Sequence, residues 1–372
     1  MGAAYTPGLK VSERALVRKQ RRLPLKGEVL VAVGDVVKSR QVVARTDLPG
    51  KVYAVNAAGQ LNVLERDLLE YMRKKEGDSV TKGELIAQTP GIFGYFKSSV
   101  LSPVTGAVDA ISNRTGRVML RETPTPVEVR AYIDGTVTEI HEAEGCTVET
   151  LGVFCQGIFG LGGETEGPIA MVGSPDAKLA ASMFDSKMKG KVVVGGSLLT
   201  LEAYEAAKAS GAVCVVTGGV NYKDIKEILG YEVGVAITGT EKLPTTIIVT
   251  EGFGAIDMAR ATFDLLGKYA GSTASVNGAT QIRAGVIRPE VIVAKDSGVA
   301  GEKEAEPVPL DIGSQIRIIR APYFGLLGTV AELPVELTKL ESETMVRVLI
   351  AELGDGRRVT VPRANVEMIE RK

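Results

Sequence analysis

The sequence predicts a multidomain chain in which a β region comes first, an α/β region follows and a small β-barrel ends the chain. Three observations predict this order. The chain has 372 residues, which is longer than one ordinary domain. Short Val-rich runs cut by Gly, Pro, Asn and Asp fill its first part, and such runs are typical of strands joined by turns. Strand and helix patterns then alternate, and strand patterns return after a charged segment that contains proline.

The composition excludes several classes of function. Lys and Arg number 44 and Asp and Glu 45, so the net charge of −1 argues against a surface that binds nucleic acid or a membrane throughout. The single histidine, His141, excludes sites built on several histidines. The cysteines Cys146, Cys155 and Cys214 show no C-x-x-C spacing, which predicts small buried side chains rather than a disulfide framework or a metal site. We therefore expect no metal, no cofactor and, without an apolar signal or spanning segment, a cytoplasmic location.

Residues 1–22 are predicted to form a basic N-terminal arm. Between Leu9 and Lys26, seven basic residues stand against Glu13 as the one acidic residue. Such an arm is either solvated or docks on RNA or on an acidic partner, and it lacks the aromatic residues that stack on bases. The basic residues assigned to the arm are Arg14, Arg18, Lys19, Arg21 and Arg22.

Residues 23–165 are predicted to form one β region with an internal repeat. Residues 34–44 match residues 77–87 at a constant offset, and each copy begins with Gly-Asp. Gly-Asp supplies a tight turn, and the alternating apolar residues that follow bury one face of a strand. Two such half-units facing each other are expected to close one small flattened barrel, which hides the edges of the sheets.

The repeat resembles a known fold. The stretch 76–87, followed by Ser102-Pro-Val-Thr-Gly-Ala-Val108, is similar to the barrel-sandwich hybrid fold of biotinyl and lipoyl domains. The segment Arg21–Leu25 is loosely similar to a non-carrier version found in the C subunit of Rnf-type electron-transport complexes. In carrier domains a modified lysine lies at the tip of the hairpin between the two halves. Lys97 lies in about that region, although its neighbours differ from those of the carriers.

Three interpretations of this hairpin tip are open. Lys97 is an attachment site, or the aromatic residues Phe93, Tyr95 and Phe96 contact a partner, or these aromatic residues only cap the barrel.

Residues 186–294 are predicted to form an α/β domain with a parallel sheet. The strands are Lys191–Val194, Val213–Val216 and Thr246–Val249, and the helices are a segment capped by Thr200, a segment capped by Asn221 and Ala255–Tyr269.

The strands of this domain end in glycines, namely Gly195, Gly196, Gly218, Gly219 and Gly252. These glycines either bind a small anion at the carboxyl ends of the strands or simply permit tight turns. The element order is faintly similar to swivelling β/β/α domains. Members that carry a phosphohistidine place a histidine after Gly-Gly, whereas Val220-Asn221-Tyr222 stands there in this chain, which excludes phosphoryl transfer by that route.

The last part of the chain carries the clearest motif. Residues 295–309 are polar, contain Pro307 and Pro309, and predict a linker. Residues 310–372 then show five strand patterns, with Gly328 before Thr329-Val330 and the hairpin turn Asp355-Gly356. This segment resembles a KOW domain, a small SH3-like barrel found in bacterial elongation-factor and ribosomal proteins.

The KOW resemblance implies contacts to RNA or to a protein partner. Nine basic and nine acidic residues follow Pro309, so the segment lacks the positive excess that counterion release requires, and a protein partner is at least as well supported as RNA. The residues assigned to these contacts are Arg317, Arg320, Tyr323, Phe324, Arg357 and Arg358.

The sequence offers little for catalysis. His141 is flanked by acidic residues but has no recognisable nucleophile, and a surface histidine is expected. The preferred hypothesis is a non-enzymatic cytoplasmic adaptor for a protein or ribonucleoprotein partner, bound through the KOW-like and barrel-sandwich parts. The alternative is an accessory subunit of a multi-subunit enzyme, with an anionic small molecule bound at the strand ends of the α/β domain.

Overall fold

Strands provide most of the regular structure in the computed structural model of the chain, and they form several sheets, one of them mixed. The structure describes residues 9–90, 97–231, 241–280, 287–296, 310–318, 322–323, 326–339, 345–368 and 370–371. No helix in these ranges is long and apolar enough to cross a membrane.

The described residues up to Gln156 contain thirteen strands and two short α-helices. In chain order they are β1 (Lys10–Arg22), β2 (Glu28–Val29), β3 (Val36–Val37), β4 (Val42–Leu48), β5 (Val52–Asn56), α1 (Ala57–Leu61), α2 (Leu68–Tyr71), β6 (Ser79–Val80), β7 (Leu85–Gln88), β8 (Ser99–Leu101), β9 (Gly106–Ser112), β10 (Arg117–Glu122), β11 (Thr125–Arg130), β12 (Gly135–His141) and β13 (Gly145–Gln156).

The internal repeat has the same hydrogen bonds in both copies. The turns at Gly34-Asp35 and Gly77-Asp78 each hold the glycine at positive φ. In each copy, the glycine N–H and the aspartate carbonyl bond one valine of a later strand, Val137 in the first copy and Val108 in the second, at 2.8–2.9 Å. The two copies are therefore the same supersecondary unit built twice.

The two copies lie in separate cores, so the expectation that they face each other in one barrel is wrong. The first copy packs with the later segment around Val137, and the second packs with the segment around Val108. Each copy pairs with a later segment of its own, because the turn of the first copy bonds Val137 and the turn of the second bonds Val108. The first core includes Val37, Val43, Ile133, Val137 and Val148, and the second includes Val80, Ile86, Val104, Val108 and Val118.

The second unit is inserted into the hairpin of the first. Strands β4 and β11 pair antiparallel, and Leu48 lies opposite Thr125 at the open end of the pair. The chain leaves the hairpin after Leu48 and re-enters it at Thr125, and residues 49–124 between these points form the second unit. Within the second unit, β7 and β8 form the equivalent hairpin. The predicted region 23–165 thus holds two nested units rather than one.

The α/β part continues the same chain without a break. Its strands β16 to β18 are parallel, as the sequence predicts, β15 is a further parallel strand, and β14 and β19 are added antiparallel. The elements are β14 (Phe159–Leu161), β15 (Glu164–Met171), β16 (Val192–Val194), α3 (Leu201–Ser210), β17 (Cys214–Val220), α4 (Tyr222–Leu229), β18 (Thr246–Phe253), α5 (Arg260–Lys268), β19 (Thr273–Asn277) and β20 (Glu290–Asp296).

The predicted Thr200 cap is present, whereas Asn221 precedes the second helix without a side-chain cap hydrogen bond, and the third helix is shorter than predicted. The Thr200 hydroxyl accepts from the Ala203 N–H at 3.2 Å, and Gly211 ends α3 at positive φ. Helix α5 begins at Arg260 rather than Ala255, because the N–H groups of Ile256 and Met258 bond loops outside the helix.

One sheet joins the α/β part to the first unit, which corrects two predicted boundaries. Strand β13 pairs with β1 along its full length on one side and with β12 and then β20 on the other. Because β20 comes after the α/β part, the boundary predicted between residues 165 and 186 is crossed by a continuous sheet. Residues 10–22 are a strand of this sheet and not an arm. Lys295 lies in β20 rather than in a linker, and the rest of the predicted linker falls largely outside the described residues.

The described residues after Leu310 form a six-stranded sheet around their own core, one strand more than predicted, and this part is here called the C-terminal barrel after the predicted fold. The additional strand is β23, which pairs with β24. Gly356 holds the predicted hairpin turn at a φ of 80°. The elements are β21 (Gln315–Ile318), β22 (Leu327–Glu332), β23 (Leu337–Lys339), β24 (Met345–Leu353), β25 (Arg358–Pro362), β26 (Val366–Met368) and β27 (Glu370–Arg371), the last of which pairs with β1.

Candidate partner-binding surfaces

The basic residues of β1 are used inside the molecule, which corrects the prediction of a free basic arm. The strand is fixed because Ala15 and Val17 are buried in the first core. Most of its cations meet carboxylates on neighbouring strands and loops. Arg14 is exposed and lies beside a bulge in the β1–β13 pairing. The ion pairs are Arg18–Glu149 at 2.5 Å, Lys19–Glu290 at 2.6 Å, Arg21–Glu164 at 2.7 Å and Arg22–Glu144 at 2.8 Å.

A polar network links β1 to the α/β part through Tyr132. The Tyr132 hydroxyl donates to Glu290 Oε1 at 3.1 Å, and the Arg21 guanidinium lies 5.3 Å from the centre of the Tyr132 ring. Arg21 also holds Glu164 with two parallel hydrogen bonds of 2.7 Å. Burial, together with the charges of Glu290 and Glu164, raises the pKa of Tyr132 well above its ordinary value. Tyr132 is therefore a fixed hydrogen-bond donor and not a base.

Beside this network lies an open polar cavity of about 720 Å³, here called the junction groove. It lies where the first unit meets the α/β part, and its volume is within the range of ligand-binding clefts. Arg21 lies at its base and Arg40, which pairs with Glu166, at its rim, since their side chains are 13% and 74% exposed. The lining residues are Gln20, Arg21, Arg22, Ser39, Arg40, Glu128, Val129, Arg130, Tyr132, Glu164, Thr165, Glu166 and Val213.

Two charged side chains of the junction groove have no ionic partner in the described part of the chain. Glu128 and Arg130 are both exposed on β11 and make no side-chain hydrogen bond or ion pair there. Arg45, which lies directly opposite Glu128 on β4, is bound instead to Glu28 at 2.7 Å. Glu128 and Arg130 are thus the charges that the groove offers to a ligand.

The strand ends of the α/β part, where the sequence allows an anion site, are filled by protein backbone. The N–H groups of Gly195 and Gly218 already donate to carbonyl groups at 2.9–3.0 Å. A Cβ atom at Gly195 or Gly219 would lie about 2 Å from a carbonyl oxygen of a neighbouring loop. Gly196 is similarly crowded, and Gly252 lies opposite Gly219 in the β17–β18 pairing. These glycines lie together at the carboxyl ends of the parallel strands, where they allow neighbouring backbone segments to pack closely.

Arg317, predicted to contact a partner, is buried between the C-terminal barrel and the α/β part. Its guanidinium pairs with the Glu251 carboxylate and donates to the Thr250 carbonyl at 3.0 Å. Both charged side chains are only 4% exposed. Glu251 also accepts from the Ala259 N–H at 3.0 Å, ahead of α5. The prediction for Arg317 is wrong because β21 faces the end of β18 and not solvent.

The other residues predicted for the KOW-like contacts have local partners or are not described. Arg357 pairs with Asp355 at 2.7 Å. Arg358 lies 3.4–3.5 Å from Glu332 and Glu352. Tyr323 packs against the barrel core, and Arg320 and Phe324 lie outside the described residues. The described arginines of the barrel therefore do not form a free basic patch.

The remaining reactive residue types have structural surroundings. The side chain of His141 is 11% exposed, not a surface side chain as expected, and its Nε2 lies 2.9 Å from Thr147 Oγ1. All three cysteines are buried, and burial raises the pKa of Cys146, that of Cys155 to about 12 and that of Cys214 further. The described residues contain no cluster of three or more His, Cys, Asp or Glu side chains that would hold a metal.

Lys97 is exposed after the β7–β8 hairpin tip. The predicted aromatic residues of this tip, Phe93, Tyr95 and Phe96, lie outside the described residues. The base of the tip is closed by hydrogen bonds between Thr89 and Ser98 at 3.0 Å.

Large exposed apolar side chains concentrate on the two terminal parts of the molecule. Among the residues that the structure describes, the nested units carry nine of them and the C-terminal barrel six, whereas the α/β part carries four. On the barrel they are Ile312, Leu326, Leu327, Val335, Leu337 and Met345; on the nested units they are Leu25, Leu30, Val33, Val36, Val52, Tyr53, Leu64, Leu69 and Leu101.

Comparison with models of protein families, with curated proteins and with solved structures gives no match in any of the three.

The junction groove was not predicted, although the sequence carries a signal for the unit that borders it. Val100 to Ile111 matches Val129 to Ile140, with Gly106 and Gly135 in equivalent positions. This second match shows that each Gly-Asp copy has its own complementary half. Together, the two sequence matches predict two nested units. They also predict an edge strand at residues 125–130.

Proposed function

We propose that the chain is a non-enzymatic cytoplasmic adaptor that binds a protein or ribonucleoprotein partner through its KOW-like barrel and its barrel-sandwich-like units. One observation carries the proposal. Most of the large exposed apolar side chains lie on these two parts, with Val335 86% and Leu337 53% exposed on the barrel. Large apolar side chains that stay exposed to this degree gain free energy when a partner protein covers them.

The fold resemblances are part of this proposal. The repeated Gly-Asp turns and the hairpin of each nested unit support a barrel-sandwich hybrid, and the small sheet that closes around Ile316, Val330 and Leu349 supports an SH3-like KOW barrel. Three buried free thiols support a cytoplasmic location, because reduced cysteines are usual there.

The charges favour a protein over RNA as the direct contact. Affinity for RNA comes largely from cations that are free to neutralise phosphates. In this chain Arg317 is buried, Arg357 pairs with Asp355, and most of the basic residues of β1 pair with glutamates. The enzyme-subunit alternative has less support, because the N–H groups of Gly195 and Gly218 already donate to backbone carbonyl groups.

Capture of partners on the immobilised full chain tests the proposal. We expect Val335→Asp with Leu337→Asp to weaken capture by the barrel, and Val33→Asp with Val36→Asp to weaken capture by the first unit. Ile287→Asp, an exposed apolar position of the α/β part, is the matched control and should leave capture unchanged. Circular dichroism confirms that each variant is folded. Equal capture by all variants, or capture of metabolic enzyme subunits alone, would contradict the proposal.

A further inference from the structure

We propose that the junction groove docks one extended strand of a partner protein, held by backbone hydrogen bonds to the free edge of β11. The groove is lined by Glu128, Val129 and Arg130, three consecutive residues of that strand. Successive side chains of a strand point to opposite faces. A cavity that contacts three consecutive residues therefore runs along the edge of the strand, where its backbone groups are presented. Of these groups, the Arg130 carbonyl already accepts from Arg21 Nε at 2.6 Å, so the docked strand pairs with the others.

The same pattern occurs on the other two walls of the groove. The end of β1 contributes residues 20–22 and the start of β15 contributes residues 164–166, again three consecutive residues each. In the described part of the chain, β11 pairs only with β4. The edge of β1 away from β13 pairs only with β27 at Lys10 and Val11, and the edge of β15 away from β19 pairs with β16 only from Ile169 onward. Three strand edges without a neighbour thus border one cavity, which is the setting for strand addition.

The chain already uses this mode of pairing. Strand β27, from the far end of the sequence, adds in parallel to β1 at Lys10 and Val11. A partner strand at the groove would extend the separate β11–β4–β2 sheet by the same kind of edge pairing.

The charges of the groove specify the sequence of the docked strand. Glu128 and Arg130 lie two residues apart on one face of β11, and neither has an ionic partner among the described residues. The carboxylates on the opposite wall are already neutralised, Glu164 by Arg21 and Glu166 by Arg40. Cross-strand pairing then favours a basic residue opposite Glu128 and an acidic residue opposite Arg130. The docked strand carries one acidic and one basic residue at positions i and i+2.

The proposal rests on the proposed function in one respect, namely that the occupant is a protein. The groove proposal can be tested separately from the apolar surface of the C-terminal barrel, because Glu128 and Arg130 lie on the first unit and are exposed.

Labelled seven-residue peptides and fluorescence anisotropy with the full chain test the proposal. The probes are Thr-Val-Glu-Val-Lys-Val-Thr and its reverse-charge order Thr-Val-Lys-Val-Glu-Val-Thr, together with versions that carry two glutamates or two lysines. We expect the wild type to bind one mixed-charge peptide best. Glu128→Lys should shift the preference to the two-glutamate peptide and Arg130→Glu to the two-lysine peptide, by about two- to fivefold in each case. Arg114→Glu, an exposed arginine of the second unit, is the control and should shift nothing.

A peptide methylated on alternate backbone nitrogens keeps its charges but loses the hydrogen bonds, so it should not bind. Absence of binding by every peptide, an unchanged preference in both charge variants, or equal binding of the methylated peptide would overturn the docking of a strand. Binding of single-stranded RNA at the groove in place of the peptides would overturn it as well. If partner capture still depends on Val335 and Leu337 in any of these cases, only the groove proposal fails.

Discussion

At the scale of single residues, the ion pair between Arg317 and Glu251 joins the C-terminal barrel to strand β18 of the α/β part. Both side chains are buried, and the glutamate also accepts the Ala259 N–H. Removing one member of such a pair leaves a charge without a partner in a place that water does not reach. The cost of that loss exceeds the net contribution of the pair itself.

Arg317→Met is therefore expected to lower the free energy of unfolding by about 3 kcal/mol or more. Arg357→Met, which breaks an exposed pair with Asp355, should cost less than about 1 kcal/mol and serves as the control. Urea unfolding of both variants makes the comparison. Replacing Glu251 by Gln in the Arg317→Met background should restore part of the loss, and equal stability of the two single variants would contradict the buried role of Arg317.

Glu13 gives the chain a pH-dependent contact. Hydrogen bonds from Lys268, then Tyr269 and Lys295, lower the pKa of Glu13 from 4.5 to about 2. Because the folded-state pKa is the lower one, this stabilisation is present above about pH 4.5 and is lost as the pH falls towards 2.

Glu13→Gln should therefore lower the melting temperature most at about pH 6, and the difference from the wild type should narrow between about pH 4.5 and pH 3. Thermal unfolding at several pH values measures this. A difference that stays constant across that range would show that the Glu13 carboxylate does not contribute through its charge.

At the scale of elements, the nested arrangement depends on one hairpin. Leu48 and Thr125 lie opposite each other, and the second unit has a core that shares no residue with the first. Each core is complete because each Gly-Asp turn pairs with its own later strand. The second unit is thus an insertion that the first unit does not need for its packing.

Replacing residues 49–124 by Asn-Gly, a two-residue turn suited to an antiparallel hairpin, is expected to leave the remaining chain folded. The shortened chain should keep a cooperative thermal transition and β-type circular dichroism. In the full chain, Val118→Asp in the second core should reduce stability, whereas the first core should be unaffected. Loss of cooperative unfolding in the shortened chain would show that the two units fold as one.

The elements that were predicted well are those whose signal is local. Thr200 and Gly211 delimit α3 in the sequence as they do in the structure, and the parallel strands of the α/β part lie where continuous apolar runs predict them. The role of β1 was missed because its signal is not local. Its Lys and Arg residues predict a solvated arm because their carboxylate partners are far away in the sequence. Those partners are Glu144, Glu149, Glu164 and Glu290.

At the scale of the whole molecule, one sheet runs from the first unit into the α/β part, and the barrel is joined to it twice. Strand β27 pairs with β1, and Arg317 is buried against the end of β18. No local pattern in the sequence encodes these contacts, so the domain boundaries could not be predicted from composition shifts. The exposed apolar side chains of the terminal parts are what this assembly leaves available to partners.

The composition of the complex that purifies with the full chain tests the adaptor function most directly. The chain is captured from its native extract at about 0.2 M salt, with and without ribonuclease, and the bound protein and RNA are quantified. The account predicts a defined protein partner that stays bound after ribonuclease treatment and is lost from the Val335→Asp, Leu337→Asp variant. Recovery of RNA without a stable protein, or of a partner that ribonuclease releases completely, would contradict it.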